Sequence, residues 1–191
     1  MNGKKKQIRL CIIAPSGSGK STVARMMKEA FESAGMTVGI AKLAAPLYAL
    51  QAEFYRECGL RLEPGRQDQR LLEIIATEMR RIKPDSLVRS FEHRLESSES
   101  DVVINDDLRD DLIDGPRLRE HGFLIIRVVC DSILREQRLL SRGDISVVSR
   151  SNLDGQIERI REDFVLTNDE SLERLRTQVD KFAAVLAEYN R

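Results

Sequence analysis

Residues 14–21 read Ala-Pro-Ser-Gly-Ser-Gly-Lys-Ser, a run that combines two glycines, three hydroxyls and a lysine. Those residue types suit the capture of a phosphate chain. Gly17 and Gly19 let the backbone curl until successive N–H groups converge on one centre, and Ser16 and Ser18 lie between and beside them. Lys20 can reach the β- and γ-phosphates of a nucleoside triphosphate, and the Ser21 hydroxyl can ligate magnesium. Thr22 begins a helix whose positive dipole end faces the phosphates. The usual pattern opens with glycine, and Ala14 stands in that place here. The run implies ATP and Mg2+ as cofactors.

Magnesium in such a site needs a carboxylate at the end of a neighbouring strand. The apolar run Val102-Val103-Ile104 ends in Asn105-Asp106-Asp107 and supplies one. Consecutive side chains of an extended segment point to opposite faces, so one of the two acids faces the metal. Asp106 is the first choice and Asp107 the alternative. Arg109 follows closely and can grip a substrate phosphate through two parallel hydrogen bonds. Arg135, Arg138 and Arg142 recur at i, i+3 and i+7, along one face of a helix. There they can neutralise the charge that develops on a transferring phosphoryl group, on a lid spanning about residues 135–155.

The elements that must position these residues follow from apolar periodicity. Gln7–Ile13, Thr37–Ile40, Asp101–Ile104, Phe123–Cys130 and Phe164–Leu166 read as five short strands. Val23, Met26, Met27, Ala30 and Phe31 mark a helix over 21–31, closed by Gly35. Residues 44–96 read as almost wholly helical, broken at Gly59–Gly65 and at Pro84, with Leu71, Leu72, Ile75 and Met79 as one stripe. Residues 132–141 read as a charged helix and 143–155 as a mobile loop. Thr167-Asn-Asp-Glu170 reads as a capping box that starts a last helix, with Leu172, Leu175, Val179, Phe182 and Leu186 on one face. Strands alternating with helices predict an α/β fold: a three-layer sandwich around a mostly parallel five-stranded sheet. Residues 1–191 form one domain, with a helical insertion over 44–97 for a second substrate.

Composition removes other classes. Lysine plus arginine and aspartate plus glutamate both number 31, so no global field holds the chain on nucleic acid or an anionic membrane. The three cysteines form no metal or disulfide pattern. The apolar runs are too short to span a bilayer, and the start lacks a signal-peptide pattern, so the expected compartment is the cytoplasm. The expected partner is a small-molecule phosphate acceptor, and a homodimer is admitted.

With these residues in view, the chain resembles the deoxynucleoside monophosphate kinases of the P-loop kinase superfamily, and more loosely dephospho-coenzyme A kinase. Leu43-Ala-Ala-Pro-Leu47 resembles the family's Ala-Asp-Pro-Leu segment, and the helix from Leu71 to Arg81 its Leu-Leu-Gln-x-x-Gly-Thr-Glu-x-x-Arg. Asp107-Leu-Arg109 resembles its Asp-Val-Arg, and Asn168-Asp-Glu-Ser-Leu172 its Asn-Asp-Gly-x-Leu turn. The resemblance implies a nucleoside monophosphate kinase-like P-loop NTPase fold. It further implies that Arg109, Asp107, Thr77, Glu78 and Arg81 line the acceptor pocket. Arg138 and Arg142 would sit at the lid and Asn168 near the adenine. Glu73 replaces the family's glutamine and Ala76 its glycine, departures that fall in the acceptor pocket.

The expected function is therefore ATP-dependent phosphotransfer to a small phosphorylated acceptor, a (deoxy)nucleoside monophosphate. Two alternatives stand beside it. One is a kinase of a hydroxyl-bearing molecule such as dephospho-coenzyme A, with Asp106 or Asp107 as base. The other is a nucleotide-dependent switch or hydrolase, although no Asn-Lys-x-Asp run is present to read guanine.

Overall fold

The structure, a computed structural model, describes residues 6–63, 65–141 and 152–189. Its centre is a sheet of β1 (Ile8–Ile13), β2 (Val38–Ile40), β3 (Val102–Asn105), β4 (Leu124–Val129) and β5 (Phe164–Thr167). The spatial order is β2-β3-β1-β4-β5, and all four ladders are parallel. β1 lies in the middle, and Leu10, Cys11, Ile12 and Ile13 are fully buried. A parallel strand covered on both faces must read this way, as an unbroken apolar run.

The two faces separate by the period of two. Leu10 and Ile12 point to one side, where α1 (Lys20–Ser33) and α8 (Leu172–Tyr189) supply Val23, Met27, Phe31 and Val179. Cys11 and Ile13 point to the other. There α4 (Ser86–Glu96), α5 (Asp114–Glu120) and α7 (Asn152–Arg159) pack through Phe91, Leu118 and Ile157. Among the described residues no helix is long and apolar enough to cross a membrane.

Residues 44–97 divide more finely than the sequence indicates. α2 (Ala45–Glu57) and α3 (Gln69–Ile82) build a small cluster of their own from Leu47, Ile75 and Ala76, closed by Leu87 of α4. The rest of α4 belongs to the sheet, through Val88, Phe91 and Leu95. The α2–α3 connection is held by a buried glutamine. Gln51 donates to the Arg66 carbonyl at 3.2 Å and accepts the Asp68 N–H at 2.8 Å. Asp68 caps α3 by accepting the Leu71 N–H at 3.2 Å, and also accepts the Tyr55 hydroxyl at 2.9 Å.

Two readings are corrected. The end of the expected loop, residues 152–155, opens α7, which is anchored by buried Ile157 and by the Arg159–Asp111 ion pair at 2.6 Å; residues 142–151 lie outside the described residues. Leu153, Ile157 and Ile160 recur at i, i+4 and i+7, a helical period that Gly155 and the polar neighbours obscure. The last helix starts four residues late, because Thr167 still belongs to β5. Ser171 accepts the Arg174 N–H at 3.3 Å, and Leu172 is exposed, so Ala183 and Ala187 complete the buried face with Leu175 and Val179.

Phe91 is fully buried against Phe123, with ring centroids 5.7 Å apart. Truncation there leaves a cavity under the sheet. Phe91→Ala is expected to cost about 3–5 kcal/mol, read as a lower urea midpoint at unchanged slope.

Candidate active site

The loop after β1 is gripped from outside as tightly as it is curled inside. Gly17 and Gly19 both have positive φ, at 84° and 96°. A Cβ on Gly17 would lie 2.7 Å from the Arg135 carbonyl oxygen of α6 (Ser132–Ser141), and one on Gly19 would strike the Asn168 amide. Both positions therefore demand glycine for space as well as for conformation. Asn168 donates from Nδ2 to the Ser18 carbonyl at 2.9 Å, and Arg135 donates from Nε to the Ser16 carbonyl at 3.2 Å. Arg109 donates to the Ser16 hydroxyl at 3.1 Å. Lys20 folds back over the loop, its ammonium 2.6 Å from the Ala14 carbonyl and 3.1 Å from that of Pro15. α1 begins directly at Lys20 with no side-chain cap, so its first N–H groups remain directed at the loop.

At the end of β3 the two acids divide between two tasks. Asp106 is 3% exposed. Its Oδ2 accepts the Ser21 hydroxyl at 3.1 Å, and its Oδ1 is paired with the Lys42 ammonium. Asp107 faces the other way and accepts the Leu43 N–H at 2.8 Å, the Ala44 N–H at 3.0 Å and the Asn105 side-chain amide at 2.7 Å. Burial pushes the Asp107 carboxyl up, against the pull of the Ala44 N–H, the Lys42 charge and the Leu43 N–H. The geometry thus puts Asp106 beside Ser21 and makes Asp107 the fastening of the lead-in to α2, although Asp107 also lines the cavity.

Ser21 and Asp106 fit a magnesium ion held through few protein oxygens. Magnesium keeps several waters and takes one or two carboxylates plus substrate phosphates. Among the described residues no cluster of three or more His, Cys, Asp or Glu is present.

A cavity of about 500 Å³ runs from this loop to the α2–α3 pair. Its loop end carries Lys20, Lys42, Arg109 and Arg138, and its far end Glu73, Arg80 and Asp114 among Tyr48, Leu72 and Ala76. Three residues expected there by resemblance are elsewhere. Thr77, Glu78 and Arg81 lie on the exposed face of α3: Thr77 bonds back to the Glu73 carbonyl at 2.8 Å, and Arg81 pairs with Glu78 at 2.7 Å. At 100° per residue the cavity face is 72, 73, 76 and 80, and its neighbours 77, 78 and 81 turn to solvent. Glu73 and Ala76, where the sequence departs from the family pattern, do face the cavity.

Of the lid arginines, Arg135 contacts the loop as described. Arg138 donates to Cys130 Sγ at 3.2 Å and to the Asn168 carbonyl at 3.3 Å and lines the cavity. Arg142 lies outside the described residues. Asn168 is a clamp on the phosphate loop, buried and bonded to Ser18. The sequence reading missed Lys42, whose signal is its place two residues past the end of β2, beside the end of β3. Arg80 and Asp114 carried no local signal at all.

No family model matches the chain, and no curated protein does. Among solved structures it is similar to shikimate kinase from Acinetobacter baumannii in complex with shikimate, at 11% identity over 97% of this chain and 96% of that one, TM-score 0.55. It is also similar to shikimate kinase from Bacteroides thetaiotaomicron, at 11% identity over 94% and 98%, TM-score 0.54. At that identity the likeness shows the fold alone: the all-parallel five-stranded α/β sheet with flanking helices. It does not single out the deoxynucleoside monophosphate kinases.

The nest can be tested without any acceptor. Gly17→Ala should weaken binding of tripolyphosphate about tenfold or more, read by calorimetry. Gly35→Ala, also at positive φ but with open space around its Cβ, should leave that affinity unchanged.

Proposed function

We propose that this chain is an ATP-dependent kinase that moves the γ-phosphoryl group of ATP onto a small phosphorylated acceptor, a (deoxy)nucleoside monophosphate. The observation that carries the reading is the cavity that joins the glycine loop to the α2–α3 chamber, with Arg109 at its loop end. Phosphoryl transfer asks the protein mainly to position two anions and to neutralise charge, and one continuous cavity with a basic end does that.

In this reading the loop N–H groups and Lys20 hold the triphosphate, the Lys20 ammonium exchanging loop carbonyls for phosphate oxygens. Ser21 and Asp106 hold magnesium, which when bound neutralises the phosphate charge. Arg138 and Arg135 attend the transferring group from the α6 side. Arg109 takes the acceptor's phosphate. Neither strand-end acid stands ready as a base, since Asp106 is committed to Ser21 and Lys42 and Asp107 to backbone amides. A phosphate acceptor, already ionised, needs no base, and this favours it over a hydroxyl acceptor. The fold likeness to shikimate kinases makes shikimate the hydroxyl-bearing comparison. A cytoplasmic setting fits this chemistry.

A coupled ADP assay with magnesium tests the reading against ribo- and deoxynucleoside monophosphates, dephospho-coenzyme A and shikimate. Turnover with one or two monophosphates is expected, and Lys20→Ala should lower it by roughly 10²–10³-fold or more while the fold is kept. Activity of that variant at the wild-type level would remove the loop from catalysis. Arg109→Ala should raise the acceptor's KM about tenfold, and that of ATP far less. The reverse pattern would take Arg109 out of the acceptor site.

A further inference from the structure

The far end of the cavity holds an ion pair that is incomplete on both sides. Asp114 opens α5, its side chain 2% exposed, and is held in place by Asp110, whose Oδ1 accepts the N–H groups of Ile113 and Asp114 at 2.6 and 2.9 Å. Arg80, on the last turns of α3, donates from Nη2 to Asp114 Oδ2 at 2.6 Å. The second carboxylate oxygen, Oδ1, and the guanidinium Nε of Arg80 are both buried and have no hydrogen-bond partner among the described residues. Burial pushes the Asp114 carboxyl up, against the Arg80 charge and its hydrogen bond.

Leaving a buried donor and a buried acceptor unmade is costly, and more so where the groups are charged. Native structures keep such groups where something else completes them. Both residues line the cavity, beside Glu73 and the apolar surfaces of Leu72, Ala76 and Leu87. These two atoms are themselves closed to the cavity, so a ligand reaches the acceptor, Oδ1, and the donor, Nε, by a small rotation of the two side chains.

The charges nearby select what can answer it. A carboxylate or phosphate only accepts, and it would meet Asp114 and Glu73. An ammonium only donates, and it would meet Arg80. An uncharged edge with a carbonyl or ring nitrogen next to an N–H answers both without either clash. The opposite end of the cavity is basic and takes the acceptor's phosphate. The distribution describes one molecule: a phosphate at one end and an uncharged, amide-like ring at the other.

We infer that Arg80 and Asp114 are specificity-determining residues that read the edge of the acceptor's nucleobase, Arg80 donating to its hydrogen-bond acceptor and Asp114 accepting from its adjacent N–H. The inference rests on the reading that the acceptor occupies this cavity.

Calorimetric binding of the four deoxynucleoside monophosphates and of base-free deoxyribose 5-phosphate tests it, on the wild type, Asp114→Asn and Arg80→Met. At least one base-bearing ligand should bind the wild type tenfold or more tighter than deoxyribose 5-phosphate. Both variants should lose most of that advantage while deoxyribose 5-phosphate and ATP bind as before. In turnover the loss should fall on the acceptor's KM and spare kcat. No advantage for any base in the wild type would overturn the inference, whether or not the variants fold. So would an undiminished advantage in either variant with a native circular dichroism melt. Base-selective binding without phosphotransfer would remove the kinase reading and leave this inference standing; phosphotransfer with the advantage undiminished would do the reverse.

Discussion

Two consecutive carboxylates at the end of one strand must face opposite ways, and the site is hung on that constraint. β3 delivers Asp106 toward Ser21 and Lys42, and Asp107 toward the amides of Leu43 and Ala44. The first residue is fixed beside Ser21, at the foot of the glycine loop. The second fixes the start of α2, and with it the chamber that α2 and α3 enclose. One dipeptide thus couples the two ends of the cavity through a few bonds of backbone. A shift of β3 by one residue would exchange the two roles and break both.

Such a centre is costly on its own terms. Buried carboxylates lose hydration, and burial does push Asp107 up. Their worth is positional: each oxygen is committed to a partner, so the groups do not wander. The same logic governs the loop. Gly17 and Gly19 carry no side chains because α6 and Asn168 already occupy the space, so the loop is clamped from outside and left bare inside. Preorganised N–H groups that need no rearrangement are what a charge-developing reaction requires.

What was legible in the sequence followed short-range rules. The loop, β1 and α1 were visible because the glycine spacing and the helix period lie within one contiguous stretch. Asp106 was visible as the end of an apolar run. The five strands were found, and the parallel sheet followed from their alternation with helices. The cavity face of α3 was legible in part: the departures at Glu73 and Ala76 lie on it, whereas Thr77, Glu78 and Arg81, named by resemblance, turn to solvent and Arg80 carried no signal. Lys42, Arg80 and Asp114 gain their meaning from partners 64, 34 and 34 residues away, a distance no local pattern spans. Asn168, expected near the adenine, bonds to the Ser18 carbonyl of the loop. α7 reads as loop because Gly155 and polar neighbours interrupt the period of Leu153, Ile157 and Ile160.

The central claim is that the terminal phosphoryl group of ATP crosses from the nest into the α2–α3 chamber and stays on the molecule bound there. Phosphorus NMR of a reaction with ATP, magnesium and a monophosphate acceptor measures that directly. The account predicts equal growth of ADP and of the acceptor's diphosphate, with no excess inorganic phosphate. Growth of inorganic phosphate with the monophosphate unchanged would mean that water is the acceptor, and would contradict it.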